Sequence, residues 1–206
     1  MLLGYVIKVF KESVISIASY IANSVNIIKE YQVEDFLKNL IEIYKEGRKV
    51  LVVGAGRSGL IGRAFAMRLM HLGFNVYVLG DTVVPPLRAG DALIAISGSG
   101  RTRSVITVAE AAKSVGAKVI ALTTYINSPL AKLSDIIVEI PGRTKVSSEN
   151  DYYTRQLIGI YEPLAPLGTL FELVAMVVLD AVVAELMVQL GKTEEDLKKL
   201  HANIEI

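Results

Sequence analysis

From residue 48 onward, short apolar runs alternate with segments of helical period. "RKVLVVG" (48–54), "FNVYVLG" (74–80), "DALIAIS" (91–97), "AKVIALTT" (117–124) and "DIIVEI" (135–140) each hold three to five apolar residues in a row. Runs this short without polar alternation predict strands buried on both faces. Between them, "SGLIGRAFAMRLMHLG" (58–73), "TRSVITVAEAAKSVG" (102–116) and a short stretch at 128–133 repeat their apolar positions every three to four residues, as helices do. Strand–helix alternation predicts an α/β fold: a five-stranded parallel sheet, doubly wound, in the flavodoxin-like order.

Two further helices, at 5–29 and 33–46, precede the first strand. Residues 141–167 show no period, and an aperiodic connection of this length points to a functional or a mobile segment. An almost wholly apolar helix follows at 168–190, then a polar one, "TEEDLKKLHANIEI", at 193–206. We therefore expect one domain over 1–206. It would comprise N-terminal helices (1–46), a sheet core (47–140), and a lid segment with C-terminal helices (141–206).

Composition narrows the function. The 206 residues are 52% hydrophobic, enough for one substantial core. A net charge of +1 provides no field to draw in nucleic acid or an anionic membrane. There is no Cys, hence no thiolate nucleophile or ligand, and two His argue against a His-rich metal site. Lys8, Lys11 and Glu12 interrupt the first helix, unlike a signal peptide. The helix at 168–190 is long enough to span a bilayer, but it carries Glu172, Asp180 and Glu185. Each carboxylate would cost about 2.5 kcal/mol or more in hydrocarbon. A soluble, cytoplasmic protein without membrane partners is the expectation. An apolar surface around most of that helix, and Val6, Val9, Phe10, Ile17 and Ile21 on the first, predict a homo-oligomer. Asp180 and Glu185 are then expected to pair with cations at its interface.

Two loops carry the candidate chemistry. "GAGRSG", residues 54–59, follows the first strand and fits the dinucleotide fingerprint, with Asp81 placed as a ribose ligand or a simple turn acid. "SGSGRT", residues 97–102, follows the third strand. In the flavodoxin-like order these strands are neighbours at the switch point, so both loops face one crevice. Gly56, Gly98 and Gly100 admit an anion close to the backbone; Ser58, Ser97, Ser99 and Thr102 add hydroxyls. Each loop leads into a helix start, where free N–H groups favour a phosphate. Convergence from two sides suits one compact phosphate better than a pyrophosphate, and the chain leaves no room for the second domain of an NAD enzyme. Arg57 either reaches the phosphate or braces the 141–167 segment. That segment, with Tyr152, Tyr153 and Tyr161, is the candidate lid.

"GAGRSG", "SGSGRT" and "PLGTLFE" together resemble the three signatures of the sugar isomerase (SIS) domain. The likeness extends over roughly residues 45–206, including "HANIE" near the end. It is closer still to the branch that interconverts D-arabino-hex-3-ulose 6-phosphate and D-fructose 6-phosphate. The resemblance implies an isomerase of the ribulose monophosphate pathway, acting through a cis-enediol without metal or redox cofactor, typically as a tetramer. It implies that Ser58, Ser97, Ser99 and Thr102 bind phosphate, that Glu172 is the base, and that His201 enters a neighbouring subunit's site. Leu200 departs from the pattern, which would have Arg there. From the residues alone, Glu172 has two readings: a base poised in an apolar helix, or an ordinary acid in a first turn. His71 reads as a helix C-terminal residue favourable to the dipole. Other expectations remain open: another SIS-type aldose–ketose isomerase, or a non-catalytic phosphosugar-binding protein.

Overall fold

A computed structural model describes residues 2–142, 165, 166 and 168–201. Helices α1 (Leu2–Ser24) and α2 (Glu30–Lys45) lead into β1 (Lys49–Gly54) and α3 (Arg57–His71). Then come β2 (Asn75–Val78), β3 (Ala92–Ile96), α4 (Arg103–Ser114), β4 (Lys118–Thr123), α5 (Pro129–Leu133) and β5 (Ile136–Glu139). Helices α6 (Thr169–Leu190) and α7 (Glu194–Lys199) close the described chain. The five strands pair in parallel in the order β2-β1-β3-β4-β5. This is the expected flavodoxin-like arrangement, with its switch point between β1 and β3. Most of the aperiodic segment, with its Tyr152, Tyr153 and Tyr161, lies outside the described residues, as does the end of the polar tail.

The unbroken apolar runs work because each strand feeds two cores. Val50, Val52, Ile94, Ile96, Ile120 and Leu122 point to the face covered by α2, α3 and α6. Their neighbours Leu51, Val53, Leu93, Ala95, Val119 and Ala121 point to α4 and α5. The strand period of two makes this division automatic. A fully buried Ile, Leu or Val side chain contributes about 1.5–3 kcal/mol. β3, at the centre, is buried throughout.

Helix boundaries differ modestly from expectation. α1 ends at Ser24, four residues after Tyr20, whose carbonyl accepts the Ser24 hydroxyl. α6 is long and apolar enough to cross a membrane; in this fold Val174, Ala175, Val178, Leu179, Val182 and Leu186 form its buried stripe on the sheet. Asp180 lies 3.9 Å from Arg68 of α3, and Glu185 accepts from Gln189 one turn on, so both find partners within the chain. On α1, Ile17 and Ile21 are half-buried, while Phe10, Val14 and Ile15 face outward.

At the opposite edge from the loops, Asp91 ties the central strands together. Its Oδ1 accepts from the Lys49 amide (2.9 Å), its Oδ2 from the Arg88 amide (2.8 Å), and Lys49 Nζ stands 3.2 Å away. Asp135 makes the same kind of contact with the Val119 amide before β5. Burial pushes the Asp91 carboxyl up, but the two amides and the Lys49 ammonium outweigh it and hold it below its ordinary range. The stabilisation is therefore present above the unfolded-state pKa of about 3.9 and is lost as pH falls through the lower folded value. Asp91→Ala should cost about 2–4 kcal/mol in urea unfolding at pH 7, with buried donors left unpaired. The loss should shrink progressively below about pH 4, as the pH approaches the lower folded value at which the wild-type carboxylate is itself protonated. Equal losses at pH 7 and pH 2.5 would contradict this account.

Candidate active site

Gly54 pairs in register with Ile96, so the loops after β1 and β3 leave the sheet side by side. The first loop is shaped by close approach. A Cβ at Gly54 would stand 2.8 Å from the Gly59 nitrogen, and one at Gly59 would stand 2.7 Å from the Gly54 carbonyl oxygen. Only glycines let α3 start so near the strand. Gly56 is the N-cap of α3, with φ +58 and no side-chain cap bond. The half-buried Ser58 occupies the first turn. The free N–H groups of that turn are thereby left to a ligand.

The second loop is tied down from beneath. The Ser97 amide donates to Leu122 and continues the β3–β4 ladder. The Gly98 carbonyl accepts from the Thr123 hydroxyl (3.2 Å) and the Thr124 amide (3.1 Å). Gly100 turns at φ +59, donates to the Ser97 carbonyl, and its own carbonyl accepts from the Leu130 amide. Ser97 is buried, and its hydroxyl lies 3.0 Å from that of Thr102. Ser99 Oγ accepts from the Arg101 amide. Thr102 caps α4 by backbone conformation alone, without a side-chain cap bond. Two uncapped helix starts thus open on the crevice above β1 and β3. Such a pair can hold a compact anion by amides, hydroxyls and aligned dipoles.

Two residues that sequence reasoning missed hold this loop in shape. Thr123 is fully buried and bridges the Gly98 carbonyl to the Tyr125 amide. Ser128 caps α5 through the Ala131 amide and lies under Gly100. The signals were present, as polar residues ending an apolar strand and a Ser-Pro pair at a helix start. What they support was not visible until the strands were ordered.

The first turn of α6 brings Glu172 to the same edge. Its amide donates to the Gly168 carbonyl, and its carboxylate packs over Gly168. Arg57 Nε donates to Glu172 Oε2 across the space between α3 and α6. Arg57 thus braces α6; the 141–167 segment, its other expected partner, falls mostly outside the described residues. Asp81 accepts from Arg63 at 2.6 Å, in an exposed ion pair rather than at the loop.

The structure does not bring His201 to this chain's own loops. Its ring stacks on His71, with centroids 4.5 Å apart, at the C-terminal end of α3. Arg57 and Ser58 begin the same 15-residue helix, about 20 Å away at 1.5 Å per residue. His71 is buried there, beyond the dipole role expected of it.

A family model described as the SIS domain matches residues 42–158, more than half of the sequence. The chain belongs to the SIS domain family. Similarity to individual SIS proteins extends further. A protein of Aeropyrum pernix is 60% identical over 92% of this chain and 90% of its own length. The 3-hexulose-6-phosphate isomerase of Bacillus subtilis is 37% identical, with 94% of this chain and 98% of that protein covered. A Methanococcus jannaschii protein, whose crystal structure was used to infer a 3-hexulose-6-phosphate isomerase function, has 32% identity and a TM-score of 0.69. That comparison covers 96% of this chain and 97% of that one.

The SIS loop at 97–102 provides a direct test. A Cβ on Gly100 would fall 2.0 Å from Ser128 Oγ and 3.0 Å from Thr123 Oγ1, at a positive φ. Gly100→Ala should cost about 2–4 kcal/mol by urea unfolding, from strain and overpacking together. Gly56→Ala meets no atom within 4 Å, so at φ +58 and ψ −132 its cost should be backbone strain alone, about 1–3 kcal/mol.

Proposed function

We propose that this chain is a sugar phosphate isomerase interconverting D-arabino-hex-3-ulose 6-phosphate and D-fructose 6-phosphate, a step of the ribulose monophosphate pathway. The observation that carries the reading is the placement of Glu172 beside the first phosphate loop, joined to it through Arg57. An anion cradle alone would serve any phosphosugar-binding protein. A carboxylate at its edge adds the one group that enolisation requires. The names of the Bacillus subtilis relative and of the inferred Methanococcus jannaschii function support the choice of sugar.

In this reading Ser58, Ser97, Ser99, Thr102 and the amides around Gly56, Gly98 and Gly100 hold the phosphate. Glu172 takes the C2 proton of the 3-ulose as the C2–C3 double bond forms and the C3 oxygen gains a proton. The same carboxylate then returns a proton to C3 while the C2 hydroxyl loses its own, leaving the C2 ketone. Atoms and charge balance without an oxidant, a metal or a redox cofactor. A positioned base contributes about 10²–10⁴-fold. His201, distant from these loops, would act in the site of a neighbouring copy. A cytoplasmic homo-oligomer fits this assignment, and the outward residues Phe10, Val14 and Ile15 of α1 offer it an apolar face.

Incubation with fructose 6-phosphate in deuterated water should place deuterium at C3, followed by proton NMR. Glu172→Gln should slow this exchange at least 100-fold while leaving the melting temperature within a few degrees. Unchanged exchange in that variant would remove the proposed base. Exchange on pentose or heptose phosphates alone would move the activity to another sugar, and binding without exchange would favour a sensor. Phe10→Glu combined with Ile15→Glu should lower the mass measured by sedimentation; an unchanged mass would place the interface elsewhere.

A further inference from the structure

Arg57 lies at the start of α3, beside Ser58 and within the turn that opens the phosphate cradle, yet its guanidinium is turned to α6 and Glu172. The two partners differ sharply in freedom. Arg57's side chain is 58% exposed, while that of Glu172 is 12% exposed and seated over Gly168. We propose that Arg57 is a charge latch: it pairs with Glu172 before substrate binds and transfers to the substrate's phosphate on binding, which frees the carboxylate to take the proton. The proposal rests on the isomerase reading for its second half, but its first half concerns phosphate alone.

Three physical features favour the transfer. A phosphate dianion offers more charge than a carboxylate, and it matches the planar guanidinium fork with two parallel hydrogen bonds. The amides of two helix starts would already hold that dianion beside the residue from which the Arg57 side chain springs. The exposed side chain can change rotamer without opening the core. Glu172, by contrast, stays where its helix start and Gly168 hold it. Binding of the unreactive phosphate end is thereby coupled to release of the reacting base, so that remote binding energy is used at the chemical centre. The latch would also leave unphosphorylated ketoses in a site whose carboxylate remains occupied. Arg57 is in this sense a positioning residue, acting on the reaction through Glu172 and the phosphate.

A double-mutant cycle on the full chain tests the latch, with inorganic phosphate as the titrant and calorimetry as the readout. Glu172→Gln should bind phosphate at least threefold more tightly than wild type, because Arg57 no longer has a competing partner. Arg57→Met should bind it at least tenfold more weakly, and Arg57→Lys should recover part of that loss. The double variant should match Arg57→Met, with no tightening left. If the tightening from Glu172→Gln persists in the Arg57→Met background, it comes from removing a negative charge and the latch is wrong. No tightening in the single variant, or no phosphate binding by any of the four proteins, overturns it equally. Failure of deuterium exchange on fructose 6-phosphate would instead strike the isomerase reading, so the two failures are told apart.

Discussion

The site depends on the close backbone approach of Gly54 and Gly59, where β1 turns into α3. With Gly54 and Gly59 so close that a Cβ on either would meet the other's backbone at under 3 Å, the helix begins directly above the strand end. Any side chain there would push α3 outward and re-aim its first turn. That first turn carries the free amides, Ser58 and Arg57. The outer glycines of "GAGRSG" therefore serve helix–strand packing first, as the last glycine of a dinucleotide turn does. Gly56 makes the turn itself.

Beside this turn, the loop after β3 is built as a rigid counterpart. Thr123 and Ser128 fix it from below, and its own carbonyls and hydroxyls are largely engaged within the fold. What remains for a ligand is the set of uncapped amides at the start of α4, which need little rearrangement. Preorganisation of this kind limits the entropy lost on binding. Arg57 is the opposite case, a charged group on an exposed and movable side chain. The proposed phosphate site and latch both rest on this contrast between a fixed loop and an exposed charge.

Much of the fold was legible because its physics is local. Each β run is apolar throughout, since both faces of a parallel sheet are covered, and this distinguishes such strands from the alternating kind. Gly and Ser clusters at strand ends mark loops for equally local reasons. Pairings such as Arg57 with Glu172, 115 residues apart, leave no trace in periodicity. Asp180 illustrates the same limit: an unidentified cation was expected beside it, and the packing of α3 on α6 places Arg68 there.

By itself the sequence determined the strand and helix alphabet, the five-stranded sheet and the two loops on one edge. These follow from side-chain period, glycine placement and the handedness of parallel crossovers. The tertiary structure decided which groups meet. It set Glu172 against the first loop, put Thr123 and Ser128 under the second, and stacked His201 on His71 at the far end of α3. The reason is physical: a long-range contact depends on the angle and depth at which two elements pack, and those are set by the whole core rather than by either segment.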